Sequence, residues 1–206
     1  MKQDFYVQPK SSLLGISKDA AIIVDRMLSN PNLLKLLVYE SRDWKSKPTP
    51  TSEQIKELFT SKQISSVPRL KIDSKEKTYI RLTYGSIVRN SYNPEYRDNT
   101  FGIDVICHYD NWDLGDFDLR PYRVAGEIDA MLDKTHLTGI GELEFVSAIP
   151  YIYSEEFAGV SLTYLAIRGQ EDLKNPLTDD WLSACFNGRN RYSFAGIVVD
   201  YSCSDY

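Results

Sequence analysis

The chain lacks most of the residue patterns that identify an enzyme or a membrane protein. It has only 3 Cys and 2 His in 206 residues, and no apolar run approaches the roughly 18 residues of a membrane span. Its first residues do not show the basic-then-apolar pattern of a secretory signal. The sequence therefore predicts a protein that is made and kept in a cytosol, with no membrane partner.

The three cysteines, Cys107, Cys185 and Cys203, are widely spaced and form no Cys-x-x-Cys pair. This spacing indicates neither a disulfide framework nor a zinc site. Cys107 falls on the apolar side of a predicted strand, where cysteine usually acts as a small hydrophobic residue. Gly-rich phosphate loops and a Gly-x-Ser-x-Gly motif are also missing from the sequence, so the common nucleotide-binding and hydrolase motifs are excluded.

Basic residues are in the minority, with 24 Lys and Arg against 29 Asp and Glu and a net charge of −5. This balance argues against a protein that wraps nucleic acid, because phosphate neutralisation needs clustered basic residues. The chain is 42% hydrophobic and 26% charged, as is usual for a globular protein. Its 14 tyrosines favour assembly, since tyrosine is enriched at protein–protein interfaces.

Three helices are predicted in the first third of the chain. Ser17 is expected to cap the first, and Asn30 followed by Pro31 opens a second helix that is apolar almost all round. Thr51 with Gln54 forms a capping box for the third.

Beyond the third helix the hydrophobic period changes from 3.6 to 2, which predicts strands at 77–88, 100–109, 141–149 and 158–169. In the second strand the apolar face is expected to carry Phe101, Ile103, Val105, Cys107 and Tyr109. A helix between the second and third strands has Pro121 in its first turn and a predicted apolar stripe of Tyr122, Ala125, Ile128 and Leu132.

This order predicts an α+β fold: a mostly antiparallel sheet with one helix packed on a face, preceded by an N-terminal helical unit and followed by an irregular C-terminal extension. We expect an arm at 1–16, the helical unit at 17–68, the α+β body at 69–168 and the extension at 169–206. The extension contains one predicted strand, at 194–201.

The acidic corner, which we define as residues 104–118, holds the densest group of candidate metal ligands. They are Asp104, His108, Asp110, Asp113, Asp116 and Asp118. Their offsets do not fit a calcium-binding loop. A metal-dependent nuclease using Asp104 with Glu142 and Glu144 stays open as an alternative, although no lysine lies in the Glu142 strand. A cytosolic binding module of unknown ligand is a further alternative.

Ordinary loop chemistry explains more of the acidic corner. Asp110, Asp113 and Gly115 are typical turn residues, and Asp116 or Asp118 is expected to cap the following helix. Asp104 and His108 lie on the less apolar face of their strand, which is expected to be solvated or to meet a second subunit. We therefore assign no catalytic residue, metal or cofactor.

The body also resembles the tail terminator and head–tail completion (neck) proteins of tailed bacteriophages, over about residues 78–168. The likeness lies in a helix pattern, a turn and a final strand. The matching residues are Arg120, Ala125, Ile128 and Leu132 in the helix, Leu137, Gly139 and Gly141 in the turn, and Phe157, Gly159, Leu162 and Tyr164 in the strand.

The resemblance implies a virion structural protein without enzyme activity, made in the bacterial cytoplasm. It implies a ring of six or twelve copies that contacts neighbouring neck or tail proteins and meets DNA only in passage. Candidate interface residues are the loop aromatics Tyr92, Tyr96, Trp112 and Tyr153. Asp110, Asp113 and Asp116 are candidates for acids that line the ring's lumen.

Overall fold

The computed structural model describes residues 16–66, 77–91, 96–137, 141–169, 190–194 and 197–201. The described helices are α1 (Ile16–Leu28), α2 (Pro31–Val38), α3 (Ser52–Thr60) and α4 (Arg120–Leu132). The strands are β1 (Ile64–Ser65), β2 (Thr78–Arg89), β3 (Tyr96–His108), β4 (Asp113–Gly115), β5 (Asp118–Leu119), β6 (His136–Leu137), β7 (Gly141–Ile152), β8 (Phe157–Gly169), β9 (Asn190–Phe194) and β10 (Ile197–Tyr201).

A six-stranded sheet in the order β1-β2-β3-β8-β7-β6 forms the centre of the molecule. Its neighbouring strands run antiparallel except β1 and β2, which are parallel. The predicted α+β class with a mostly antiparallel sheet is thus confirmed.

One face of this sheet builds the main hydrophobic core, as the alternation predicted. Each of the central strands contributes apolar side chains that are almost fully buried; they are Ile80 and Leu82 in β2, Ile103, Val105 and Cys107 in β3, and Val160, Leu162 and Tyr164 in β8. Tyr109 does not join them and is a little under half exposed. The reason is that β3 ends at His108 and the chain turns into a short 3-10 helix, Tyr109–Asn111.

The N-terminal helices and α4 cover the same sheet face and share one hydrophobic cluster with it. The side chain of Asn30 accepts hydrogen bonds from the first turn of α2, and Thr51 with Gln54 forms the expected capping box on α3. Ser17, the predicted cap of the first helix, lies inside α1, which spans Ile16–Leu28. The Tyr164 hydroxyl donates to Asp129 Oδ1 at 2.9 Å and so ties β8 to α4.

Helix α4 buries a stripe that differs from the predicted one at its start. Ala125, Ile128 and Leu132 are buried as expected, but Tyr122 is about half exposed and Val124 is buried instead. Arg120 at the first helical position is itself buried. Two residues correspond to about 200° around a helix, so a buried Arg120 turns Tyr122 towards solvent.

Close packing of β3 against β8 requires glycine at position 159. A Cβ atom on Gly159 would overlap the Val105 carbonyl group on the neighbouring strand. The other face of the main sheet, away from the helices, is its outer face. Tyr79, Ile106 and Phe157 form a second, smaller hydrophobic cluster there.

Near the C-terminus the structure corrects the prediction of a single strand at 194–201. The described residues there form two strands, β9 and β10, which pair antiparallel. Tyr192 and Phe194 alternate with polar residues, but the Asn and Arg content of this segment obscured that pattern. Among the helices that the structure describes, none combines the length and the apolar character needed to cross a membrane.

Candidate functional site at the acidic corner

The acidic corner leads the chain from the end of β3 to the start of α4. After the 3-10 turn, β4 and β5 form a small hairpin, and the corner is held at several points by its backbone. The Tyr109 N–H donates to the Glu156 carbonyl at 3.0 Å, and the Arg120 N–H donates to the Trp112 carbonyl at 2.7 Å. The corner is therefore an ordered part of the fold.

The acids of the corner serve mainly as turn and ion-pair partners. Asp113 accepts the Gly115 N–H through Oδ1 at 2.8 Å and pairs with Arg42 through Oδ2 at 2.7 Å. The exposed Asp110 donates its N–H to His108 Nδ1 at 3.3 Å. The expected turn chemistry is thus seen at Asp113, whose side chain closes a turn on its own backbone.

Neither Asp116 nor Asp118 caps α4, contrary to the prediction. The residue before the helix is Leu119, which makes no side-chain cap. The reason is that the β4–β5 hairpin extends to Leu119, directly before the helix. The N–H of Arg120, the first helical residue, already donates to the Trp112 carbonyl. Asp118 instead lies 4.0 Å from the Arg123 guanidinium.

At the tip of the hairpin, Asp116 and Phe117 have φ angles of 51° and 63°. Two successive left-handed residues form the tight turn that Asn-Gly usually occupies, and this conformation costs roughly 1–2 kcal/mol per non-glycine residue. The Phe117 side chain is fully exposed, at 103% of its reference area. A strained and unburied phenylalanine is unexpected in a purely structural turn.

Arg120 organises the corner from inside the protein. Its side chain is only 1% exposed, and its guanidinium donates to five backbone carbonyls. These are Asn111, Leu36, Tyr39, Glu40 and Ser41, at 2.8–3.2 Å. Leu36 lies in the last turn of α2, where helical carbonyls lack partners within the helix, and Tyr39, Glu40 and Ser41 follow directly after α2. Arg120 thus joins α4, the corner and α2.

Glu40 lies beside this guanidinium, with Oε2 3.8 Å from Arg120 Nη1. It accepts hydrogen bonds from the Thr78 N–H and hydroxyl and from Asn111 Nδ2. Burial raises the pKa of Glu40 above its ordinary value, although Arg120 and Thr78 act in the opposite direction. Burial also lowers the pKa of Arg120. The desolvation of this pair therefore outweighs its attraction.

Asp104 belongs to a different part of the molecule from the other acids. Its side chain is 9% exposed and pairs with Arg81, whose Nε and Nη2 donate to Oδ2 at 2.8 and 2.6 Å. The Ser161 hydroxyl donates to Oδ1 at 2.6 Å. The prediction that Asp104 faces solvent or a second subunit is therefore wrong: two flanking strands of its own chain occupy its oxygens.

The nuclease alternative needs Asp104 close to Glu142 and Glu144, and the sheet register separates them. Glu144 pairs with Leu165, which pairs with Thr100, so Glu144 lies two strands across and four residues along from Asp104. Strand spacings of about 4.8 Å and 3.4 Å per residue place the two Cα atoms roughly 17 Å apart. Among the described residues, no three His, Cys, Asp or Glu side chains form a group able to hold a metal.

The aromatic residues considered for an interface lie in different settings. Trp112 packs partly on the core and donates Nε1–H to the Cys107 carbonyl at 3.3 Å. Tyr153 lies against the outer-face cluster with the Arg81 guanidinium 5.7 Å from its ring centre. Tyr96 begins β3, and Tyr92 lies outside the described residues.

Sequence reasoning missed Glu40 and Arg81 as partners and Arg120 as the centre of the corner. No local pattern marks them, because most of their contacts join residues 23 to 84 positions apart. The one available signal was Arg120 itself, a long charged residue at the start of an apolar helix stripe.

No curated protein matches the chain. Among solved structures, a chain from a virion of a native gene transfer agent particle is similar, with 13% sequence identity and a TM-score of 0.38. The alignment covers 55% of this chain and 83% of that one, and nothing about function follows from a likeness of this size. The family model YomW, in contrast, matches residues 30–166. Because that match spans well over half of the chain, this phage-associated protein belongs to the YomW family.

Proposed function

We propose that the protein is a structural subunit of the phage virion, a ring-forming neck or tail terminator protein that joins head and tail. The observation that carries the proposal is the match of the phage-related YomW model to residues 30–166, which include α2 to α4 and most of the main sheet. The resemblance of the α4, turn and β8 patterns to tail terminator and neck proteins supports the finer assignment.

The packing of the site supports a structural rather than a catalytic role. Two charged pairs inside the body, Arg120 with Glu40 and Arg81 with Asp104, spend their hydrogen bonds on other parts of the same chain. These pairs stiffen the body, and their polar atoms are already engaged in hydrogen bonds within the chain. A rigid body of this kind suits a subunit that must close a ring of six or twelve copies through heterologous contacts.

The acidic corner suits the proposed ring if it faces the lumen. Asp110, Asp113 and Asp116 are all exposed, and Asp113 also pairs with the exposed Arg42. Carboxylates along a channel repel DNA phosphates and would keep passing DNA from adhering. In this proposal DNA is a transient partner, and the lasting partners are other copies and neighbouring neck or tail proteins.

The direct test is a stop codon early in this gene of the phage that encodes it. We expect DNA-filled heads and separate tails that fail to join, with infectivity restored when the gene is supplied in trans. The purified protein should form closed rings by light scattering and negative-stain microscopy. Normal joined particles from the stop-codon phage, lacking this chain by mass spectrometry, would refute the virion role.

The lumen assignment has its own test. Reversal of charge at Asp110 and Asp116 to lysine should slow DNA ejection, because phosphates would then be attracted to the channel. Glu53→Lys, at the exposed start of α3, is the matched control. Equal DNA ejection rates for the two variants would show that the acidic corner does not line the lumen.

A further inference from the structure

The strand register brings three arginines to neighbouring positions at one end of the main sheet. Arg89 of β2 pairs with Arg97 of β3, and Arg97 pairs with Arg168 of β8. Positions that lie directly opposite each other on neighbouring strands share a sheet face and are about 5 Å apart. We call these three positions the arginine row. Because they come from three strands that are distant in the sequence, only the register reveals the row.

The arginine row is unfavourable in an isolated subunit. Like charges directly opposite each other on neighbouring strands destabilise a sheet. Arg97, the central member, is partly buried, and no carboxylate of the described residues forms an ion pair with it. Asp98 lies on the opposite face of β3, because successive residues of a strand alternate, and it accepts a hydrogen bond from Asn90 Nδ2 at 2.8 Å. An anionic group from elsewhere would relieve the repulsion along the row.

The opposite end of the same sheet carries negative charge. The turn between β7 and β8 contains Glu155 and Glu156, which are both exposed, and we call these two residues the acidic turn. Its backbone is held by Ser154, whose N–H donates to the Phe157 carbonyl at 2.9 Å and whose hydroxyl accepts the Glu156 N–H at 3.3 Å. The acidic turn therefore presents two carboxylates from a fixed backbone.

The arginine row and the acidic turn are too far apart to meet within one chain. Glu156 directly precedes β8, and Arg168 lies 12 positions later, near the end of that strand. At about 3.4 Å per residue the two positions are roughly 40 Å apart. β8 pairs with β3 without interruption over this length, so the strand does not fold back. Opposite charges at opposite ends of one body favour a head-to-tail contact between successive copies.

We propose that the acidic turn of one copy binds the arginine row of the next copy, so that this contact repeats around the assembly. The inference rests on the proposed ring and names its interface. Guanidinium groups bind carboxylates through charge-assisted hydrogen bonds, and two carboxylates offset most of the charge of three arginines. The acidic turn contains none of the acids considered for the lumen, so different variants test the two assignments.

The first test is Arg97→Gln, which removes the central charge of the row. We expect the association constant, measured by light scattering, to fall at least about tenfold. The thermal midpoint of the dissociated monomer should stay unchanged or rise, because a like-charge repulsion is removed. Lys56→Gln, at an exposed lysine on α3, is the matched control and should change neither value. Unchanged association in Arg97→Gln, with or without a lower monomer midpoint, would overturn the contact.

The second test exchanges the two charges. Arg97→Glu and Glu156→Arg should each weaken association, since each places like charges at the contact. A chain with both substitutions has complementary charges again and should associate more strongly than either single variant. Because the two positions are roughly 40 Å apart in one chain, such a rescue requires contact between copies. Lys56→Glu combined with Glu156→Arg is the control and should give no rescue; a double variant no better than the single variants would refute the pairing.

Salt and DNA separate this contact from other uses of the arginine row. Association through ion pairs should weaken as NaCl rises, because salt screens the charges. A fluorescent DNA duplex should bind the wild type and Arg97→Gln equally weakly; tight binding that Arg97→Gln abolishes would assign the row to DNA phosphates and overturn the contact. A wild-type chain that stays monomeric at every concentration also overturns it, while the virion role is decided separately by the stop-codon phage.

Discussion

Replacement of Arg120 by methionine should unfold or severely destabilise the protein. Methionine keeps the apolar stem of the side chain but removes all five hydrogen bonds of the guanidinium. The carbonyls at the end of α2 would then lie beside an apolar group. Glu40 would also lose the cation 3.8 Å from its carboxylate.

The size of the effect follows from these contacts. A hydrogen bond to a charged group contributes about 1.5–3 kcal/mol, and breaking a buried charge pair from one side costs about 3–5 kcal/mol. The terms are not additive, so we expect a loss of about 4–6 kcal/mol, against a total stability of about 5–15 kcal/mol for a domain. For a chain of this size that corresponds to a thermal midpoint lower by roughly 10–20 °C.

Burial of the charge works against this estimate, since desolvation lowers the pKa of Arg120 and shows that the site penalises its cation. Apolar replacement of a buried ion pair is often neutral for that reason. Here the carbonyl contacts decide the outcome, because no apolar side chain can satisfy the five backbone carbonyls that Arg120 contacts. Arg120→Lys, which keeps the charge but supplies three donors instead of five, should lose about half as much.

The assay is urea unfolding followed by circular dichroism and tryptophan fluorescence. Arg123→Met is the matched control, because Arg123 lies about one turn further along α4, makes long ion pairs at 3.8 and 4.0 Å, and lies 6.0 Å from the centre of the Trp44 ring. We expect the control to lose less than about 1 kcal/mol. If Arg120→Met lost no more than Arg123→Met, Arg120 would not organise the corner.

Three further substitutions test separate parts of the structure. The folded-state pKa of Glu40 is raised, so wild-type stability should fall as pH rises from the unfolded-state pKa near 4.5 through the folded value. Glu40→Gln should flatten that slope in pH-dependent thermal melts, and an unaltered slope would contradict this. In urea titrations Gly159→Ala should destabilise the protein by about 1–3 kcal/mol or more, since the added Cβ meets the Val105 backbone. Gly126→Ala, on the open surface of α4, should instead stabilise the protein by about 0.5–1 kcal/mol, and equal effects of the two substitutions would disprove the close contact at Gly159. Asp104→Asn should destabilise the protein by about 2–3 kcal/mol, because Arg81 loses its carboxylate partner. Mg²⁺ should leave the melting temperatures of the wild type and of this variant unchanged, and selective stabilisation of the wild type by Mg²⁺ would indicate a metal site at Asp104.

The elements of this fold were largely predictable because their signals are local. Alternating side chains in β3 and β8 report burial of one sheet face, and the caps at Asn30 and Thr51 depend on residues two or three positions away. Such patterns require no knowledge of the rest of the molecule. The prediction for Tyr122 was wrong because the rotation of α4 is set by Arg120, and four of its five carbonyl partners lie about 80 residues upstream.

The chemistry of the acidic corner was harder to predict because acids that are close in sequence separate in space. Asp104 and Asp113 are nine residues apart, yet one is neutralised on the outer sheet face by Arg81 and the other is held near α2 by Arg42. Only the strand register determines which basic residue meets which acid. Composition alone therefore suggests a metal cluster that the described fold does not assemble.

The acidic corner combines a rigid base with a strained tip. Arg120 fixes the end of the corner to α2, and Trp112 receives the Arg120 N–H while its indole binds the Cys107 carbonyl. A left-handed phenylalanine persists only where its surroundings leave no easier conformation, and these contacts supply that constraint. Loss of Arg120 should therefore destabilise the fold, whereas loss of the fully exposed Phe117 side chain, for example in Phe117→Gly, should leave the stability of the fold unchanged or higher. That difference separates a residue that builds the corner from one that the corner presents.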